Sequence, residues 1–207
     1  MAPEPPWHIR MTDHSHEREF EDLREISRLH HRIRDVLPSA PSSGLTLLDI
    51  SDRTLTSLLV ETSAEQFLHQ LRTRLETEGD ALLERVLKQG VLIQAAEAAR
   101  IAGEGCAERR WSAFQRTLRA QPSRDLRPLL AALRDSPFVR SPLVKRATAR
   151  SIQLVLQDIS QTRLHPEIHS ELIHAWIVGF VQALQPEVRI EPLGAGNRRF
   201  SELKWEI

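Results

Sequence analysis

A chain of 207 residues with 41% hydrophobic content is long enough for one domain with a buried core and too apolar for a disordered polymer. Its 28 basic and 28 acidic residues cancel, which excludes polyanion binding by bulk charge, so any electrostatic function must come from local segregation. The lone Cys106 can form no internal disulfide and no CxxC pair, and the opening MAPEPPWHIR has prolines and charge where a signal peptide needs an apolar core. A cytoplasmic protein is expected.

Residues 1–16 hold three prolines and the histidines His8, His14 and His16 among few apolar groups, so they read as a flexible leader, with Met11 as a second candidate start. Residues 17–207 read as a single domain. A flexible leader does not preorganise metal ligands, so its three histidines predict no site.

From about Glu17 the spacing of Leu23, Ile26, His30, Ile33 and Leu37 predicts an amphipathic helix ending at Pro38. SAPSSG is a loop. LTLLDI and TLTSLLVET, joined by Ser51, Asp52 and Arg53, predict a hairpin. Ser63 with Gln66 has the capping-box arrangement, and Phe67, Leu71, Leu75, Leu82 and Val86 carry the next helix to a bend at Gly90.

An alanine-rich helix over 91–101, a break at GEGC, and a second helix, ERRWSAFQRTLRA, are expected next. Ser123 and Ser141 are good caps, the latter followed by Pro142 at a first helical position. They predict helices over about 124–134 and 142–161. His165 and Pro166 repeat the cap-then-proline pattern and open a helix to Leu184, whose apolar run AWIVGFVQAL is half a membrane span and predicts a buried helix with no membrane crossing. EVRIEPL and RFSELKWEI then predict strands around the turn GAGN, which lacks the third glycine and following helix of a phosphate-binding loop.

The expected fold is α+β and mainly helical: a small antiparallel sheet pairing two hairpins, near 45–62 and 187–207, covered by five to six helices. A helical bundle with peripheral hairpins is the alternative. The order helix, hairpin, LHQLRTRL helix resembles small nucleic-acid-binding domains of the KH type in element order alone, because the GXXG loop is absent.

LHPEIHSELIHAW is the densest cluster of chemistry-bearing side chains. Two histidines four apart on a helix can share zinc, yet the glutamate falls one position late for HExxH, and His165 is a cap residue outside the helix. His174 is rotated about 140° from His169 at 100° per residue, so the two cannot converge on one ion. No metal site is predicted, with His165 and His169 the weak candidates. His169 falls on the side of Leu172, Ile173, Trp176 and Phe180, a core edge, and His174 reads as a flanking, solvated residue. Cys106, between GEG and a helix, stands where backbone donors, Arg109 and Arg110 can acidify a thiol, without the surroundings of a cysteine hydrolase.

Charge is the strongest departure from uniformity. Between Arg109 and Arg150 lie eleven basic residues and only two acids, Asp125 and Asp135. Arg109, Arg110, Arg116, Arg119, Arg146 and Arg150 are the candidate nucleic-acid contacts, with Trp111 and Phe114 as stacking partners. The bland alternative is an ion-pair surface meeting the acidic first helix.

With no catalytic residues and no cofactor motif predicted, the expected function is a non-enzymatic cytoplasmic adaptor or assembly factor acting on a protein partner or on its own copies. The alternatives are nucleic-acid binding through 109–150, and a metal-dependent enzyme centred on His169 with ligands such as His30, His69 or Cys106.

Overall fold

Six helices and four strands are present in the computed structural model, which describes residues 14–38, 46–59, 63–119, 126–134, 136–139, 143–148, 151–157, 165–192 and 200–206. The chain is mainly helical. Helix α1 (His14–Val36) begins inside the segment expected to be a leader and ends before Pro38, whose ring disfavours a helical residue ahead of it. It buries two faces. Phe20, Leu23, Leu29 and Ile33 supply the apolar one, and Asp22 and Glu25 lie buried on another.

The hairpin expected near 45–62 is absent. Residues 46–54 form an irregular strap, and α2 (Leu55–Leu58) is a single helical turn, with 60–62 outside the described residues. The reason lies in where the backbone finds its partners. Leu48 O accepts from Ser27 Oγ at 2.8 Å, Leu48 N donates to Glu78 Oε1 at 3.0 Å, and Ser51 O accepts from Arg24 and Arg28. Side chains thus satisfy groups that a strand would have paired in a ladder. Thr54 and Ser57 then close a reciprocal capping box that turns TLTSL into helix. The likeness of element order to KH-type domains lapses with the hairpin.

Helix α3 (Ala64–Gln89) starts where Ser63 Oγ accepts from Gln66 N at 3.3 Å. It ends at Gly90, whose φ of +66° is the left-handed cap that glycine adopts without a Cβ penalty. Leu68, Leu71, Leu75, Leu82 and Val86 form its buried stripe.

The break expected at GEGC does not occur either: α4 (Leu92–Arg119) runs straight through it. Gly103 is a contact point, not a breaker. A Cβ there would overlap the Trp176 carbonyl oxygen and stand 2.9 Å from Phe180 N, while one at Gly179 would overlap the Arg100 carbonyl oxygen. Two glycines on facing helices therefore let α4 and α6 (Pro166–Leu184) cross backbone against backbone, with Ala95, Ala99, Ala102 and Cys106 buried beside them.

Helix α5 (Arg127–Arg134) buries Leu129, Leu130 and Leu133. After it, the helix expected over 142–161 is replaced by strands β1 (Leu143–Ala147) and β2 (Ser151–Gln157). The alternation Ile152, Leu154, Leu156 is a period of two, and it prevails over the Ser141–Pro142 cap signal, which lies outside the described residues. Strands β3 (Arg189–Pro192) and β4 (Phe200–Glu206) complete an antiparallel sheet of order β1-β2-β4-β3, so its partners come from 143–157 and not from 45–62. The turn GAGN falls outside the described residues.

Register places Ile152, Trp205 and Ile190 in one row and Gln153, Lys204 and Glu191 in the next, on the opposite face. Of the first row, Ile152 is fully buried in the main core with Trp176, Phe180 and Leu133, and Ile190 packs at its edge. A second, smaller cluster joins Phe20, Leu23, Ile50, Leu55, Leu68, Leu71 and Leu75 under the strap.

Candidate functional site

Helices α1 and α4 meet through charge. Arg109 donates from Nε and Nη2 to the two carboxylate oxygens of Glu25 at 3.1 and 2.6 Å, Arg110 Nη2 reaches Asp22 Oδ1 at 3.0 Å, and Arg28 Nη1 also pairs with Glu25. Burial pushes the Glu25 carboxyl up, but the Arg109 hydrogen bond and the charges of Arg109, Arg28 and Arg110 outweigh it and hold the group below the ordinary carboxylate range. At neutral pH Glu25 is therefore an anion enclosed by guanidinium groups.

Cys106 lies one helical turn from this network, fully buried in the middle of α4 and not at a helix start. Desolvation and the Glu25 charge push its thiol up to about 12, against the pull of Arg110 and Arg109. The acidified-thiol reading is overturned. The native protein should leave Cys106 unmodified by iodoacetamide over hours at pH 8, with full labelling only in denaturant; rapid native labelling would contradict this placement.

Of the candidate nucleic-acid contacts, Arg109 and Arg110 are thus engaged by acids of α1. Arg116 and Arg119 belong to α4 and Arg146 to β1, but their side chains, like those of Trp111 and Phe114, lie outside the described part of the structure, as does Arg150 entirely. The basic block spans α4, α5 and β1, so it is not presented by successive helices as the sequence pattern suggested.

The histidines divide. His165 is the backbone N-cap of α6 and makes no side-chain cap bond, with Pro166 at the first helical position. His169 is half-buried and acts electrostatically on His30 of α1, which is itself buried. His174, expected to be solvated, is half-buried, and its Nε2 is enclosed without a hydrogen-bond partner; burial lowers its pKa against the opposing pull of Glu171. His69 is exposed on α3. Among the described residues no group of three His, Cys, Asp or Glu side chains could hold a metal ion. Among them, His30, His69 and Cys106 do not gather with His169 into such a group.

Apolar side chains do reach solvent at one corner. Leu87 on the last turn of α3 is 42% exposed and Ile93 on the first turn of α4 is 83% exposed, flanking the Gly90 bend. Ile101, farther along α4, is also exposed. Sequence reasoning missed this corner, along with Asp22, Glu25, Gly103 and Gly179. For the acids a signal existed: the adjacent Arg109–Arg110 pair is matched by Asp22 and Glu25, three apart on one helix face.

No helix among the described residues is long and apolar enough to cross a membrane. No protein-family model matches the chain, and neither characterised proteins nor solved structures give a significant match.

Proposed function

We propose that the protein is a non-catalytic adaptor of the cytoplasm that binds a protein partner through the corner between α3 and α4. The observation that carries this reading is Ile93, a large aliphatic side chain left 83% exposed, with Leu87 also exposed on the other side of the glycine-capped bend. Isolated surface leucines need no explanation, but two aliphatic side chains held at one ordered turn form the kind of anchor on which interfaces concentrate their free energy.

The basic block supports the alternative of nucleic-acid binding less well. Two of its arginines already have carboxylate partners from the same chain. A phosphate at Arg109 would compete with Glu25, whose side chain is only 4% exposed.

Ile93→Asp separates the two readings. Because the side chain is so exposed, folding stability should change by no more than about 0.5 kcal/mol, while capture of the native partner should fall about 30-fold, the weight of one anchor residue. An unchanged set of captured proteins would overturn the corner as the binding surface. Retardation of RNA or DNA at low salt that survives Ile93→Asp would favour the basic block.

A further inference from the structure

His30 is a buried histidine on the inward face of α1. Its side chain packs on α3 at Gly79, where an added Cβ would stand 3.2 Å from His30 Nε2 and 3.4 Å from Cε1. Its Nδ1 is buried with no hydrogen-bond partner. A neutral imidazole tolerates such a setting. An imidazolium, which must donate from both nitrogens, does not.

Among the described residues, the charges that act on His30 oppose a proton there. On α1 itself the neighbouring titratable group is His31, whose Nε2 lies 3.4 Å from Leu48 O. On α6 it is His169, and both histidines act on His30 with like charge. On α3, Glu78 and Asp80 flank Gly79. Glu78 Oε1 is occupied by Leu48 N and Arg74 Nε, while the second oxygen of Glu78 and Oδ1 of Asp80 are buried without a hydrogen-bond partner. The charges acting on His30 are those of His169 and His31 and not of either carboxylate. On α4, the charges facing α1 are Arg109 and Arg110, bound to Glu25 and Asp22.

We propose that His30, flanked by His31 and His169, is an acid-operated latch: neutral, it lets α1 lie closed on α3 beside α6, and protonated it drives α1 off. The latch is independent of the partner-binding reading. Burial, reinforced by His169 and His31, pushes the His30 pKa down from 6.5 to about 3, so between those values the undocked helix binds a proton that the docked one refuses. Stability from this group is complete above pH 6.5 and is lost progressively as pH falls toward 3.

Segment-resolved hydrogen exchange on the full chain tests this, with rates corrected for intrinsic pH dependence. From pH 7.5 to 5.0 the opening constant of α1 should rise about 30-fold, more than that of the β2–β4 pair, and His30→Gln, which stays neutral, should remove most of the rise. An equal rise in every segment, or a rise that persists in His30→Gln, would overturn the latch. Should His30→Gln fail to fold, the wild-type imidazole decides by NMR. A His30 ring that stays neutral at pH 5 in the docked state supports the proposal, and one that titrates near 6.5 with α1 still protected overturns it.

Discussion

Gly179→Ala is expected to destabilise the protein by about 3 kcal/mol, at the upper end of what overpacking a core usually costs, as a loss of urea midpoint with little change in slope. Helix propensity alone predicts the reverse, a gain of about 1 kcal/mol for alanine over glycine inside a helix. The steric effect wins because the obstacle is backbone. A methyl group at 179 would overlap the Arg100 carbonyl oxygen and lie 2.8 Å from its carbon, and neither atom can rotate away. The α4 and α6 axes would have to separate, opening gaps around Trp176, Phe180 and Cys106.

Gly103→Ala should behave in the same way. The double variant should cost less than the sum, since helices already spread by one methyl group accommodate the second. Gly105, in the same GEGC stretch, provides the contrast. The nearest atom to a Cβ there is Arg109 Nη1 at 3.0 Å, the end of a flexible side chain that can shift. Gly105→Ala should therefore be neutral or mildly stabilising. If Gly179→Ala and Gly105→Ala unfolded at the same midpoint, the close crossing of α4 and α6 would be wrong.

These glycines show where sequence reasoning was adequate and where it was not. Ser63, Gly90 and the His165–Pro166 start were legible because a cap is decided by residues within one turn of it, using side-chain and backbone chemistry that sequence displays directly. The same local logic read GEGC as a break and missed that Gly103 answers to Gly179, seventy-six positions away.

At 45–62, alternating apolar residues suggested strands, yet the backbone there is satisfied by Ser27, Arg24, Arg28 and Glu78 from other elements. At 142–161 a proline-start signal competed with a period-two pattern, and pairing with β4 decided for the strand. The histidine cluster opens a helix at His165–Pro166 as its spacing indicated, but the electrostatic link between His169 of α6 and His30 of α1 is one that no spacing displays. The arginine block was visible as charge, and an ion-pair surface with the acidic first helix was one reading of it; the side-by-side placement of α1 and α4 identifies Asp22 and Glu25 as the partners.

Glu25 carries the other large expected effect. Its side chain is 4% exposed and is bound by Arg109 and Arg28, so Glu25→Ala removes the anion and leaves two guanidinium groups facing a desolvated pocket. Breaking a buried pair from one side typically costs 3–5 kcal/mol, and the lower end, about 3 kcal/mol, applies here because Arg109 is 42% exposed and can turn toward water.

Arg109→Ala is the more informative partner variant, since the carboxylate left behind cannot escape to solvent. In the native protein the lowered Glu25 pKa contributes stability that is present above its unfolded value of 4.5 and disappears as pH falls through the folded value. Without Arg109, burial is opposed only by Arg28 and Arg110, so the folded pKa of Glu25 should rise and acid should cost the variant less stability than it costs the wild type. The difference in unfolding free energy between wild type and Arg109→Ala should consequently shrink between pH 7 and pH 4. A double-variant cycle with Glu25→Ala, run at both pH values, isolates this coupling from the His30 contribution common to all four proteins. A coupling below about 0.5 kcal/mol at pH 7, the level of an exposed pair, would show that the Arg109–Glu25 pair does not hold α1 to α4.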